Sequence, residues 1–247
     1  RRGESPRNPA GRSETQVEAM IISHEHRFIF IKTEKTAGTS IEIALSKYCG
    51  PEDVITAIVP GDEAVRAELG YRGPQNFHVP LSRYTALDYL RAVRHRRRLR
   101  FTNHSSARFV RSYVDPAVWE GYYKFAFERN PWDKVISYYF WLHREEPRPS
   151  LSEFIASGAM SRMRGFDLYS ENSVPVVNDV FFFEDLGAAM EELGRRFDLD
   201  ETPQLPRTKH GFRRDTRPYQ EVLSAEDRLR IERVFAREIA YFGYRWD

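Results

Sequence analysis

The sequence predicts an α/β fold of three layers, αβα, built on a short and mostly parallel sheet. Two observations carry this. Arg27–Lys32, Tyr122–Glu128 and Val176–Phe183 are apolar runs rich in β-branched and aromatic residues, with the length of buried strands. Segments with helical spacing follow each of them, and strands alternating with helices form a sheet covered on both faces.

At 247 residues the chain holds one core, so a single domain over 20–247 is expected. Residues 1–19 are polar, contain two prolines and two glycines, lack an apolar period, and read as a disordered tail. Hydrophobic residues at 41% against charged residues at 30% fit a soluble globular chain, and 14% aromatics predict a core of large rings. A net charge of +2 is too small for a whole-protein polyanion binder, so specific nucleic-acid binding is not expected and any basic site must come from local clustering. Cys49 is the single cysteine, which excludes an intrachain disulfide and favours a reducing, cytoplasmic compartment. The lumenal domain of a membrane-anchored enzyme is the other reading. No uninterrupted apolar run approaches the roughly 18 residues that span a bilayer.

After the first strand, Ser40–Tyr48 places Ile41, Ala44, Leu45 and Tyr48 on one helical face. Residues 50–82 carry Gly and Pro every few positions and read as loop with short elements. Helices are expected over Tyr84–Leu99, Ala107–Tyr113, Asn130–His143 and Glu184–Phe197, while 201–220 reads as irregular and basic. A closing helix is capped by Ser224 with Asp227 three residues on. It buries Ile231, Val234, Phe235, Ile239 and Phe242, and stops at Gly243.

Two strand-to-helix junctions carry chemistry. The first, Lys35-Thr-Ala-Gly-Thr-Ser40, points backbone N–H groups and a positive helix end at one spot. Gly38 allows close backbone approach to an anion, and Ala37 keeps the loop thin. Thr36, Thr39 and Ser40 add hydroxyls, and Lys35 adds a point charge. An ordinary turn with a Thr/Ser N-cap is the plain alternative. The two-glycine signature of nucleoside-triphosphate loops is missing, which disfavours ATP or GTP hydrolysis. The second junction is Phe127-Glu-Arg-Asn-Pro-Trp-Asp-Lys-Val-Ile-Ser137. Asn130, Pro131 and Asp133 are plain helix-start chemistry. Arg129 is not: it stands at the carboxyl end of a strand, where open α/β sheets bind ligands, and offers a bidentate grip on phosphate. Ser137, two turns on, can add a hydroxyl.

Together the junctions resemble those of the sulfotransferases that use 3′-phosphoadenosine-5′-phosphosulfate, in the branch of carbohydrate enzymes and bacterial relatives. The closing Ile239-Ala-Tyr-Phe-Gly-Tyr-Arg-Trp246 resembles the end of that branch, so the likeness runs from about Ile21 to Asp247. The resemblance implies a P-loop-like nucleotide-binding fold, with residues Lys35 to Ser40 at the 5′-phosphosulfate and Arg129 and Ser137 at the 3′-phosphate. It implies transfer of a sulfuryl group to a hydroxylated acceptor, a glycan or glycolipid. Glu34 stands where many members carry Pro or another neutral residue, and alternation along an extended segment points it away from the sulfate.

No cluster of His, Cys or Asp has metal-ligand spacing, so no metal is expected. For the base, His104 stands in Phe101-Thr-Asn-His-Ser-Ser-Ala107, a setting similar to the family's His-x-x-Ala, and imidazole suits proton abstraction. His78 is the runner-up and Glu42 the carboxylate candidate, while a helix-capping role is the plain alternative for His104. Arg91–Arg100 holds six arginines in ten residues without an acid. It reads as a solvated face or as a peripheral contact to an anionic surface. Lys209, Arg213, Arg214 and Arg217 form a second basic cluster. A kinase-like phosphotransferase and a polyanion-binding module are the rival readings.

Overall fold

The computed structural model describes residues 20–102, 104–206 and 215–247, so the tail expected over 1–19 lies outside the described residues. Strands β1 (Ile21–Ser23) and β2 (Phe28–Ile31) form a hairpin whose turn holds Arg27 at a φ of 55°. Helix α1 (Gly38–Ser46), β3 (Val54–Ile55) and α2 (Pro60–Glu68) follow. Helices α3 (Ala86–His95), α4 (Ala107–Tyr113) and α5 (Pro116–Gly121) lead into β4 (Tyr123–Glu128) and α6 (Pro131–Leu142). Next come α7 (Leu151–Ala156), α8 (Phe166–Tyr169) and a small hairpin of β5 (Ser170–Glu171) and β6 (Val174–Pro175). Strand β7 (Asp179–Phe182) and helices α9 (Leu186–Arg196), α10 (Tyr219–Val222), α11 (Ala225–Val234) and α12 (Ala236–Phe242) complete the chain.

The protein is mixed α/β, and its main sheet has the order β3-β1-β2-β4-β7. The three strands read from the sequence, β2, β4 and β7, are its parallel part. Strand β1 runs antiparallel to both β2 and β3, so β3 points the same way as β2, and the mostly parallel sheet is made mixed by one reversed strand. The cause is local: a turn as short as residues 24–27 can join only antiparallel strands.

Alternation along the strands splits the core. Phe28, Phe30, Phe125 and Phe127 share one face with Ile41, Ala44 and Leu45 of α1 and Met190 and Leu193 of α9. Phe30 stacks on Phe125 at 5.3 Å and Phe28 on Phe197 at 4.6 Å, so the core is indeed built of large rings. Ile29, Ile31 and Ala126 face the other way, against Val110 of α4, Trp119 of α5 and Tyr169 of α8. Both faces therefore carry helices. A third cluster joins α6, α7 and α11 through Trp132, Phe154 and Ile231.

The closing helix departs from expectation. Phe235, at φ −105° and ψ 26°, leaves the helical region and divides it into α11 and α12. The capping box of Ser224 and Asp227 and the left-handed Gly243 stand where the sequence places them. Val234 is 38% exposed and belongs to no buried stripe. Among the described residues no helix is long and apolar enough to cross a membrane.

Candidate functional site

Strand β2 delivers its chain into the loop before α1, and the loop is held by hydroxyls. Thr33 Oγ1 donates to the carbonyl of Phe127 at 2.5 Å and lies 3.0 Å from Thr36 Oγ1. The left-handed conformations fall on Lys35 (φ 64°) and Ala37 (φ 59°), not on Gly38. Non-glycine residues there store roughly 1–2 kcal/mol each, a burden found at ligand clamps. Gly38 is required for another reason: a Cβ there would sit 2.6 Å from Cγ of Lys32. The Lys32 stem lies across Gly38, and its Nζ donates to Thr39 Oγ1 at 3.0 Å and to Glu42 Oε2 at 3.2 Å. Arg66 of α2 donates to the other oxygen of Glu42 at 2.8 Å. All three side chains are buried. Glu42 is thus engaged at both oxygens by two cations, an arrangement that fastens α1 rather than one that offers a base.

The second junction meets the first. Strand β4 ends beside β2, and Arg129, 8% exposed, donates from Nη1 to the carbonyl of Lys35 at 3.1 Å. Its Nε and Nη2 both hold Asp133 Oδ2, at 2.8 and 2.5 Å, and its plane lies over Phe183 at 3.8 Å from the ring centre. The sequence reading gave Asp133 to the helix dipole alone; the i, i+4 spacing to Arg129 was the signal for the pair. The same spacing continues through Ser137, half-buried, to Trp141 on one face of α6. Lys35 Nζ sits over the Trp141 ring at 5.3 Å. Lys35 therefore touches both ends of this face, its carbonyl at Arg129 and its ammonium at Trp141, with Ser137 between them along the helix. Trp141 thereby joins the candidate site, a contact that the sequence reading missed.

His104 reaches the same loop. Its Nδ1 lies 3.1 Å from the carbonyl of Lys32, and a carbonyl only accepts, so Nδ1 carries the hydrogen. In the neutral ring Nε2 then bears the lone pair. Glu34 Oε1 lies 3.6 Å from that nitrogen. Glu34 is tied to the segment at Arg164 by its own N–H donating to the Arg164 carbonyl at 3.0 Å and by the Arg164 N–H donating to Oε2 at 2.9 Å. Burial pushes the Glu34 carboxyl above its ordinary range, against the Arg164 backbone and charge. The carboxylate faces His104, a role that simple alternation along the strand did not reveal. His78 is exposed, paired in a β-bridge with Arg100, and its ring lies tilted against Phe77 with centres 4.8 Å apart. Partial desolvation, then Arg98 and Arg100, hold its ring below the ordinary imidazole value.

Beneath the junctions Lys134 Nζ donates to Glu128 Oε2 at 2.7 Å, and the Tyr169 hydroxyl donates to Oε1 at 3.0 Å. Glu238 of α12 is buried nearby, and among the described residues its Oε2 has no hydrogen-bond partner. Burial raises its carboxyl above the ordinary range; Glu128 adds to the rise and Lys134 opposes it.

Lys209, Arg213 and Arg214 lie outside the described residues, and Arg217 pairs with Asp215 at 2.6 Å. Among the described residues no group of three or more His, Cys, Asp or Glu is placed to hold a metal ion. A groove of about 430 Å³ lies at the opposite end of α1 from the loop, lined by Lys47, Tyr48 and Asp198 among others.

No family model matches the chain, and no solved structure matches it. An uncharacterized protein of the archaeon Archaeoglobus fulgidus is 31% identical over 100 residues, which cover 37% of this chain and 83% of the archaeal one. The chain belongs to the same family as that protein, whose name states no activity.

Proposed function

We propose that the chain is a sulfotransferase with a P-loop-like, three-layer nucleotide-binding fold. It would move a sulfuryl group from 3′-phosphoadenosine-5′-phosphosulfate to a hydroxyl of a carbohydrate or glycolipid. The observation that carries this reading is the meeting of two strand-to-helix junctions on adjacent parallel strands, through Arg129 Nη1 and the Lys35 carbonyl. Either junction alone is common helix-start chemistry. A lysine loop and a buried arginine held together form a cradle for two separate anionic groups of one ligand.

The residues suit the donor. Lys35, Thr36, Ala37, Gly38, Thr39 and Ser40 would hold the phosphosulfate, with Arg129 and Ser137 at the 3′-phosphate. The donor supplies a sulfuryl group on a phosphate leaving group: its S–O bond breaks as the acceptor oxygen bonds sulfur. His104 would take the acceptor proton on Nε2, since Nδ1 is committed to the Lys32 carbonyl. Glu34, beside Nε2, stabilises the imidazolium that results. Lys35 leaves the Trp141 ring to meet the charge that develops on the departing phosphate.

Calorimetry with 3′,5′-ADP, the desulfated product, against ATP tests the reading. The product nucleotide should bind at least about tenfold more tightly, a difference of roughly 1.4 kcal/mol. Tighter binding of ATP would favour a phosphotransferase instead.

A further inference from the structure

Helix α3 stands out from the body of the protein. Of its ten residues only Asp88 is buried, and Asp88 with the half-buried Ala92, four residues on, marks the inner side. Leu87, Leu90 and Val93 follow at three-residue spacing along the outer side, 51%, 63% and 77% exposed. Leu81, in the turn before the helix, is 49% exposed. The segment is nonetheless well built: Thr85 and Asp88 form a capping box, Tyr89 donates to the Leu81 carbonyl at 2.9 Å, and Leu99 N–H donates to the Tyr84 hydroxyl at 2.6 Å. A stable helix with an apolar outer row that no described residue covers is shaped for a partner.

The charge beside that row identifies the partner. Arg91, Arg94, Arg96, Arg97, Arg98 and Arg100 are all exposed. The single acid between residues 81 and 100 is Asp88, turned inward and bonded to Thr85 and the Tyr113 hydroxyl. A surface that fits must be apolar and densely anionic at once. A nucleic acid would leave Leu87, Leu90 and Val93 without contact, whereas the boundary between headgroups and acyl chains satisfies both.

We propose that α3 docks the protein on an anionic lipid bilayer, with Leu87, Leu90 and Val93 entering the acyl boundary and the arginines lying among the headgroup phosphates. The arginine run on its own reads as a solvated face or an electrostatic lead-in; the exposed apolar row makes it an insertion surface. The docking stands on α3 and does not rest on the proposed nucleotide site.

Sedimentation of the full chain with vesicles tests it. Vesicles of phosphatidylcholine with about one third phosphatidylserine should carry the protein down, and phosphatidylcholine alone should bind it at least about tenfold less. The L90E/V93E variant changes only exposed positions, so its melting temperature and 3′,5′-ADP binding should match those of the parent. Its vesicle binding should fall at least about tenfold. In a V93W variant, tryptophan emission should shift to the blue on adding the anionic vesicles. The proposal fails if the parent stays in solution, as a protein or RNA partner would require. It also fails if L90E/V93E binds as the parent does, which would mean electrostatic adhesion without insertion. Loss of nucleotide binding in the parent would overturn the sulfotransferase reading and leave the docking result standing.

Discussion

Arg129 at the end of β4 and Lys35 in the loop after β2 are joined by a hydrogen bond from Nη1 to the Lys35 carbonyl, 3.1 Å long. The bond fixes the spacing between the two proposed anion sites before any ligand arrives. Replacing Arg129 by Ala should weaken 3′,5′-ADP by about 2–3 kcal/mol, as loss of a charged hydrogen-bonded contact does. Binding of 5′-AMP, which has no 3′-phosphate, should change far less. Equal losses for the two nucleotides in calorimetry would reduce Arg129 to a loop support.

His104→Ala should leave nucleotide affinity nearly intact and cut acceptor sulfation by roughly 10²–10⁴-fold. The acid limb of the rate profile should go with it. Glu34→Gln should keep activity and move that limb to lower pH, because the neighbouring carboxylate that favours the protonated ring is gone. His78→Ala is the control and should retain normal turnover. An inactive, folded His78 variant beside an active His104 variant would reverse the assignment.

The loop geometry sets opposite signs for two neighbouring substitutions. Gly38→Ala must displace the buried stem of Lys32, and overpacking of this kind costs about 1–3 kcal/mol. Ala37→Gly removes a Cβ from a left-handed residue and should raise stability by up to about 1 kcal/mol. Urea midpoints of the two variants decide the matter: a stabilised Gly38→Ala or a strongly destabilised Ala37→Gly contradicts the packing described.

Glu238 gives a pH dependence with a definite sign. Its folded carboxyl binds a proton more tightly than the unfolded one, because burial raises it. The stability it contributes is complete below the ordinary carboxylate value and is lost as pH rises through the raised one. Glu238→Gln should therefore gain stability relative to the parent as pH rises out of the acid range. Chemical denaturation of both proteins at mildly acidic and mildly alkaline pH measures it, and a difference that stays constant or shrinks would remove Glu238 as the source.

The sequence made the long elements legible because each carries its own period or cap. Strands β2, β4 and β7 lie in stretches dense in aromatic and aliphatic residues, and α6 and α11 start at Asn130 and Ser224, whose side chains accept from their own first-turn N–H groups. Strands β1 and β3 are three and two residues long, too short for any alternation to register. Helix α2 was hidden among the glycines and prolines of 50–82, though Pro60 at its start is a recognised opening signal. The site was legible as a set of residues and not as a set of contacts. Lys35, Arg129 and His104 stood in motifs, but Trp141 acquires meaning only when the loop after β2 reaches α6, and Glu34 only when that loop meets His104. The packing demand on Gly38 was hidden, because its close neighbour is Lys32, six positions back along the chain.

The excursion that carries α3 leaves and rejoins the body at adjacent points, where Val79 N–H donates to the Leu99 carbonyl and Phe101 N–H to that of Phe77. A segment closed at its neck in this way can be lengthened, trimmed or exchanged at a penalty that grows only as the logarithm of its length. The sheet and the two junctions would not register the change. Evolution is thereby free to swap the appendage while leaving the chemistry alone, so relatives could share one interior and differ in where in the cell they work.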